Sequence, residues 1–258
     1  MEYYNNKEKI EKLKNIKDYV VIIDFDKTLT TSDSDSSVGT IPNFLGGECL
    51  ERRTKNFEYY RPLELDYNIS KENKQKLMKE WAEKSFSIIA EYATENIVKE
   101  TAKVANLHLR KGAKDFLYKM YKDRIPVVIM SAGVGNIIKE FLQNEQSLYN
   151  NITIVSNFFE FNNNKAYIDI EKIMATSNKE YNRISKELRS KIEESSKVLL
   201  FGDIIEDIRM INKEQLHKTL TIGFLDYNID ENLKMYNENF DIVLSNESSF
   251  ELIIKNFI

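Results

Sequence analysis

The chain has 258 residues, of which 42% are hydrophobic, and it includes 14 Phe and 14 Tyr. This composition predicts a globular protein with a sizeable core and excludes a disordered chain. A net charge of -4, from 37 basic and 41 acidic residues, argues against a nucleic-acid polymer or a membrane surface as the partner. The single cysteine, Cys49, excludes an intrachain disulfide and a cysteine metal cluster, and no surrounding motif makes it a nucleophile, so we expect a reducing compartment.

The N-terminus and the hydropathy of the chain predict a cytoplasmic protein. Residues 1–7 are polar and lack the apolar core of a secretory signal. No window of about 18 apolar residues is present, so we expect no membrane span.

The first predicted elements are a short amphipathic helix over 7–17 and a strand over 19–25. Four consecutive β-branched residues, 20–23, are typical of a strand that is buried on both faces of a parallel sheet. This strand ends in Asp24 and Asp26. Ligands bind outside the carboxyl ends of strands in open α/β sheets, so we hypothesise that the two carboxylates hold a divalent cation and that Asp24 attacks a phosphate. Two solvated acids in a turn are the alternative.

A mainly helical insertion is predicted after this strand. Residues 31–37 are polar and typical of turns, and we interpret them as a solvated linker. From Ser70 to Asn106 the pattern is helical, and no clear strand lies between 31 and 107. We therefore expect a cap domain over 31–107, inserted into a catalytic core formed by 1–30 and 108–258.

The rest of the chain alternates between helices and strands, which predicts an α/β fold with a mostly parallel, Rossmann-like sheet flanked by helices. The predicted elements are a helix over 111–123, a strand over 126–130, a helix over 134–144, a strand over 152–156, a β-hairpin over 158–170, a helix over 179–194, a strand over 198–201, a helix around 208–211, and strands over 220–224 and 241–244, each followed by a helical stretch.

Polar residues follow two more of these strands. Ser131 leads into Ala132-Gly133, and Asp203 is followed by Asp207. Each cluster alone could be a plain strand-to-helix turn with a capping side chain. Together, at one edge of a parallel sheet, they predict a phosphoryl-transfer site. Mg²⁺ suits such a site, because it is a hard ion held by carboxylates, water and phosphate.

These motifs resemble motifs I, II and IV of the haloacid dehalogenase (HAD) superfamily of phosphohydrolases. The resemblance implies Asp24 as nucleophile and Asp26 as general acid and then base. It also implies that Asp24, the Asp26 carbonyl and Asp203 bind Mg²⁺ with Asp207 in support, and that Ser131, Ala132 and Gly133 contact the substrate.

A closer resemblance is to the eukaryotic cytosolic pyrimidine 5′-nucleotidases. It is carried by Ile129–Gly135, Val155–Phe158, Gly202–Met210, Ile222–Leu225 and Phe240–Glu251. In that family a lysine follows the hairpin, which implies Lys179 as a catalytic and substrate-binding residue; Lys165, in the hairpin turn, is the competitor.

The same resemblance extends into the cap. It implies that Glu80, Trp81 and Ser85 contact the nucleotide, whereas an ordinary amphipathic helix with Trp81 in the cap core is the alternative. The segment 31–67 does not resemble the family. The expected function is Mg²⁺-dependent hydrolysis of nucleoside 5′-monophosphates, with pyrimidine bases first. Another small phosphorylated metabolite such as phosphoserine is the alternative substrate, and we expect a monomer or a homodimer.

Overall fold

The computed structural model describes residues 1–66, 68–245 and 247–258, without the side chain of Leu65. The strands of this part of the chain are β1 (Glu2–Tyr4), β2 (Tyr19–Ile23), β3 (Val127–Val134), β4 (Ile152–Asn157), β5 (Glu160–Asn162), β6 (Lys165–Tyr167), β7 (Lys197–Gly202), β8 (Thr219–Leu225) and β9 (Ile242–Ser245). Its α-helices are α1 (Lys7–Leu13), α2 (Thr40–Leu45), α3 (Gly47–Leu65), α4 (Lys71–Tyr92), α5 (Glu95–Val104), α6 (Ala113–Lys122), α7 (Gly135–Asn144), α8 (Lys186–Glu194), α9 (Ile229–Asn239) and α10 (Phe250–Phe257).

Seven of these strands form one sheet in the order β1-β9-β8-β7-β2-β3-β4. Every neighbouring pair is parallel except β1 and β9, which are antiparallel. The α/β fold with a mostly parallel sheet is therefore confirmed. β1 is an edge strand that the sequence analysis missed, because three residues carry too little pattern to be recognised.

β2 lies in the middle of the sheet, between β7 and β3. Val21 and Ile23 pack into the hydrophobic core on one face, and Val20 and Ile22 pack into the core on the other. The interpretation of this run as a strand buried on both faces is therefore confirmed. Its central position places the residues that follow it at the middle of the sheet's carboxyl edge.

The insertion after β2 is helical, as predicted, and contains α2 to α5. Ser70 caps α4, since its Oγ accepts a hydrogen bond from the Asn73 N–H at 3.4 Å. α3 precedes the region in which helices were predicted. The chain leaves the sheet after Thr30 and returns at Leu109, where the two residues form an isolated antiparallel bridge. We propose residues 31–107 as the cap domain and 1–30 with 108–258 as the core.

Four local predictions were wrong. β3 continues through Ser131, Ala132 and Gly133 instead of ending before them. The helix predicted over 179–194 begins only at Lys186, because Ser185 caps it there. The segment around 208–211 is a short 3₁₀ turn, Ile205–Met210. Residues 31–37 are not a solvated linker, since Ser34 and Ser37 are buried.

None of the helices described here is both long and apolar enough to cross a bilayer.

Candidate active site

Three adjacent strands bring the predicted polar residues together. β7, β2 and β3 are neighbours in the sheet, so Asp203, Asp24 and Ser131 lie side by side along its carboxyl edge. They line one cavity of about 360 Å³, together with Asp26 and Lys179. We call these five residues, with Ala132 and Gly133, the floor of the cavity.

Lys179 is buried among carboxylates. Its side chain is only 2% exposed, and its Nζ lies 2.6 Å from Asp24 Oδ1 and also forms an ion pair with Asp207. Burial lowers the pKa of Lys179, but the charges of Asp207 and Asp24 raise it by more than burial lowers it, so the net shift is upward. Lys179 is therefore a fixed positive charge beside Asp24. Lys165, its competitor in the sequence, is exposed on the hairpin strand β6.

Three carboxylates of the site could hold a divalent cation. Asp24, Asp203 and Asp207 each offer an oxygen within 4.8 Å of the others. Burial, Asp24 and Asp207 raise the pKa of Asp203 well above its ordinary value. No ion pair reaches Asp203 among the described residues, so the group has one lysine for three acids. A hard divalent cation fits this donor set and its excess negative charge.

Asp207 also shapes the backbone at the end of β7. Its Oδ2 accepts hydrogen bonds from the N–H groups of Asp203 at 3.1 Å and Ile204 at 3.3 Å. A Cβ on Gly202 would lie 2.4 Å from Asp207, so glycine is required there for this close approach. The motif thus places Asp203 at the cavity through Asp207.

Asp26 is held by a residue that the sequence analysis missed. The Ser37 N–H donates to Asp26 Oδ1 and the Ser37 hydroxyl donates to Oδ2, both at 2.8 Å. Burial raises the pKa of Asp26, while these two hydrogen bonds act to lower it. No hydrophobic period marks Ser37, and its polar surroundings in the sequence suggested a linker.

The last part of β3, where the register shifts between Met130 and Val134, is also fixed by polar contacts. The Gly133 N–H donates to Ser131 Oγ at 3.0 Å. Asn157 donates to the Ala132 carbonyl at 2.9 Å, and it exchanges two hydrogen bonds with the backbone of Met174. Asn157 therefore ties Ala132 to the irregular segment that leads to Lys179.

Arg110 is a second residue that the sequence analysis missed. Its side chain is 1% exposed, and its guanidinium donates to the carbonyls of Thr28 at 3.1 Å and Lys27 at 2.7 Å. It also forms an ion pair with Asp226 at 2.9 Å. These contacts hold the turn that carries Asp26 against the end of β8.

The opposite wall of the cavity comes from α3 and α4, and we call it the roof. Its side chains are mostly apolar or aromatic, with two arginines and one carboxylate: Arg53, Phe57, Arg61, Glu64, Met78, Trp81, Ala82, Ser85 and Phe86. Trp81 stacks on Tyr60, with ring centroids 6.0 Å apart. Ser85 Oγ accepts a hydrogen bond from Asn56 at 2.8 Å.

Of the three cap residues predicted to contact substrate, Trp81 and Ser85 line the cavity and Glu80 is not among the described lining residues. Glu80 is paired with Lys84 at 2.8 Å, and both side chains are about half exposed. The carboxylate of the roof is Glu64 instead, which is paired with Arg61.

The fold and the floor define a phosphohydrolase of the haloacid dehalogenase type. The sequence profile described as "Pyrimidine 5'-nucleotidase (UMPH-1)" matches residues 28–257. The chain belongs to this family and is a 5′-nucleotidase, a phosphomonoester hydrolase. A relative named 7-methylguanosine phosphate-specific 5'-nucleotidase, from Homo sapiens, is 28% identical over 244 residues, which span 90% of this chain and 81% of the relative.

Solved structures agree with the fold. Cytosolic 5'-nucleotidase IIIB bound to cytidine superposes with a TM-score of 0.81 at 24% identity, covering 97% of this chain and 89% of that one. A phospho-aspartyl intermediate analogue of phosphoserine phosphatase superposes with a TM-score of 0.59 at 16% identity, covering 95% of this chain and all (100%) of the other. At these identities the likeness concerns the fold alone.

Proposed function

We propose that the chain hydrolyses nucleoside 5′-monophosphates with pyrimidine bases through an aspartyl-phosphate on Asp24. The observation that carries this proposal is the contact of 2.6 Å between Lys179 Nζ and Asp24 Oδ1, beneath a roof rich in aromatic side chains. A buried carboxylate beside a fixed cation can attack phosphorus while the negative charge of the phosphate is offset.

The reaction has two steps. In the first, an Asp24 oxygen bonds to phosphorus, the bond from phosphorus to the 5′ oxygen breaks, and Asp26 gives its proton to that oxygen. In the second, Asp26 takes a proton from water, the water oxygen bonds to phosphorus, and the bond to Asp24 breaks. Lys179 and Ser131 stabilise the phosphoryl oxygens in both steps.

Mg²⁺ is the cation that we propose for the site. Asp24, Asp203 and the Asp26 carbonyl would hold it, with Asp207 positioning Asp203. When bound, it supplies positive charge to the transferring phosphoryl group. Because the three acids that could hold it are close together with one lysine, two of them buried and Asp203 half-buried, its binding should stabilise the fold as well as support turnover. EDTA should therefore lower both the melting temperature and the activity.

The roof supplies the contacts that we propose for the nucleotide base. Trp81 and Phe57 offer ring faces for stacking, and Glu64 is a carboxylate that can accept hydrogen bonds from a base amino group. A positively charged 7-methylguanine base also suits an aromatic face beside a carboxylate. The name of the human relative makes 7-methylguanosine 5′-monophosphate the second candidate substrate.

A phosphate-release assay with Mg²⁺ tests the choice of substrate. The substrates are the monophosphates of cytidine, uridine, 7-methylguanosine and adenosine, with phosphoserine and glycerol phosphate as small esters. We expect the highest kcat/KM for the pyrimidine nucleotides. Preference for 7-methylguanosine 5′-monophosphate would select the second candidate, and preference for phosphoserine would overturn both. Turnover without free phosphate would indicate a phosphomutase.

We propose a cytoplasmic enzyme that acts as a monomer or homodimer on a small nucleotide. The word "cytosolic" in the name of the superposed nucleotidase supports this location.

A further inference from the structure

Ser37 makes a two-point contact with Asp26 from outside the sheet. Ser37 is fully buried (0% exposed). Its N–H donates to Asp26 Oδ1 and its hydroxyl donates to Asp26 Oδ2, each at 2.8 Å. Asp26 follows β2, whereas Ser37 lies in the segment that leads to α2 in the cap. The contact therefore crosses from the cap side of the chain to the floor.

The chemistry of Asp26 depends on how its carboxyl group is oriented. A general acid must present its proton to the leaving oxygen at hydrogen-bond distance. Hydrogen-bond donors to both oxygens of Asp26 fix the plane of its carboxyl group. A single donor would leave the carboxyl group free to rotate. Each carboxylate oxygen has two lone-pair positions, so the Ser37 hydroxyl can donate to one position of Oδ2 whether or not the carboxyl group carries a proton elsewhere. The contact therefore survives both protonation states of a group that acts first as an acid and then as a base.

Several contacts hold Ser37 in this position. Lys27 has φ at +65°, and its Nζ donates to the carbonyls of Ser32 at 2.7 Å and of Ser34. The Ser37 carbonyl accepts a hydrogen bond from Thr40 Oγ1 at 2.9 Å. The left-handed conformation of Lys27 is uncommon for a residue with a side chain, so these contacts must hold the segment firmly.

Gly133 leaves the room that Ser37 needs. A Cβ on Gly133 would lie 1.8 Å from Ser37 Oγ and 3.1 Å from Asp26 Oδ2. The absence of a side chain at Gly133 thus leaves the space in which the Ser37 hydroxyl contacts the Asp26 carboxylate. We propose that Ser37 is a positioning residue that orients Asp26 for proton transfer to the leaving oxygen. This inference rests on the proposed role of Asp26.

Ser34 provides the matched control. It lies in the same segment and is also buried, but its hydroxyl donates to the His108 carbonyl at 3.3 Å and accepts from the His108 N–H at 3.0 Å. Ser34→Ala therefore removes a buried hydroxyl that holds the segment without touching Asp26. A purely structural role for Ser37 predicts that Ser37→Ala and Ser34→Ala behave alike.

The test compares two esters that differ in their need for a proton. The leaving group of cytidine 5′-monophosphate is the 5′ alkoxide of cytidine, which must be protonated, whereas that of p-nitrophenyl phosphate is p-nitrophenolate, which is stable without a proton. Because kcat/KM reports only steps up to the first irreversible one, it isolates the transfer to Asp24. We expect Ser37→Ala to lower kcat/KM by about tenfold or more for cytidine 5′-monophosphate and by less than about threefold for p-nitrophenyl phosphate, since general acid catalysis contributes on this scale. Ser34→Ala should not change the ratio.

Equal losses with both esters, or the same ratio in Ser34→Ala, would overturn the proposal. If Ser37→Ala does not fold, Ser37→Thr keeps both donors and should retain the wild-type ratio, whereas a changed ratio in a folded Ser37→Thr would contradict it. If no nucleotide is a substrate, the proposed function fails by itself. Glycerol phosphate, whose leaving group is also an alkoxide, then replaces the nucleotide and still tests Ser37.

Discussion

The floor and the roof of the cavity differ in how their charged side chains are held. On the floor, Lys179 is buried between Asp24 and Asp207. On the roof, Arg61 pairs with Glu64 one turn away on the same helix, and both are partly exposed. The charges of the floor thus form one buried network, whereas the charged pair of the roof is local to one helix and partly exposed to solvent. This difference is the basis for our proposal that the floor carries the chemistry and the roof carries the selectivity for the base.

Arg53 is the clearest case of a roof charge without a fixed partner. Its guanidinium lies 5.0 Å from the centre of the Phe57 ring, and no ion pair reaches it among the described residues. Burial lowers the pKa of Arg53. The Arg53 guanidinium can therefore pair with a ligand without breaking an ion pair, whereas Lys179 on the floor is already paired with Asp24 and Asp207.

The largest expected effect is on the floor. Asp24→Asn removes the proposed nucleophile and should lower kcat by about 10⁴-fold or more with every ester, as loss of a nucleophile does in other enzymes. Asp18→Asn is the control, because Asp18 immediately precedes the first residue of β2, at the end away from the floor, and accepts hydrogen bonds from Ser196. Near-normal turnover in a folded Asp24→Asn variant would remove Asp24 from the mechanism.

The next effect distinguishes the two candidate lysines. Lys179→Met should lower kcat/KM by about 100-fold for nucleotides and small esters alike, because charge stabilisation is lost on the floor. Lys165→Met should have no effect, since Lys165 is exposed on the hairpin. Steady-state kinetics on both variants, with circular dichroism to verify folding, checks this. An inverted result would make Lys165 the catalytic lysine.

A roof substitution should act on nucleotides alone. Trp81→Leu should lower kcat/KM for the preferred nucleotide by about tenfold, the scale of base stacking on an aromatic ring. It should leave glycerol phosphate unaffected. Tyr59→Leu is the control, because Tyr59 is exposed and is not among the described residues of the lining. A matching loss with glycerol phosphate would show that floor and roof are not separable.

The smallest expected effect is on stability. In EDTA, Asp203→Asn should raise the free energy of unfolding by about 1–2 kcal/mol at pH 7.5, because a half-buried carboxylate beside Asp24 and Asp207 is costly without a cation. The pKa of Asp203 is raised in the folded state, so the stability of the wild type falls as the pH rises above the ordinary pKa of 3.8. The stability that Asp203→Asn gains over the wild type should therefore be smaller at pH 5 than at pH 7.5. Denaturant unfolding measures it.

Glu206→Gln is the control for this measurement, because Glu206 is an exposed neighbouring acid. It should leave the unfolding midpoint unchanged at both pH values. A less stable Asp203→Asn protein in EDTA would mean that the carboxylate has a compensating partner.

The floor was largely predictable and the roof was not, for a physical reason. Strand ends in a parallel sheet meet at one edge, so Asp24, Ser131 and Asp203 could be brought together from a local pattern. Ser37 returns to Asp26 through a segment with no hydrophobic period. Nothing in such a segment indicates which of its hydroxyls is buried.

On the roof, the helical period was recognisable in α4 but not in α3, and the cavity between them was not predicted. Glu80 and Glu64 both lie on helices, and only the packing of α3 against α4 decides which carboxylate reaches the lining. α3 is mostly polar and contains Pro62, so it has no strong amphipathic pattern. Its carboxylate could not be chosen without the tertiary structure.

The most direct test of the central claim follows the phosphoryl group on the floor. Asp26→Asn should still accept phosphate from p-nitrophenyl phosphate, whose leaving group needs no proton, but it should not activate water for the second step. We predict a burst of one equivalent of p-nitrophenolate, followed by slow turnover. Acid quench and borohydride reduction should then convert residue 24 to homoserine, as detected by mass spectrometry. No burst and no modified residue, or modification at another residue, would contradict the account.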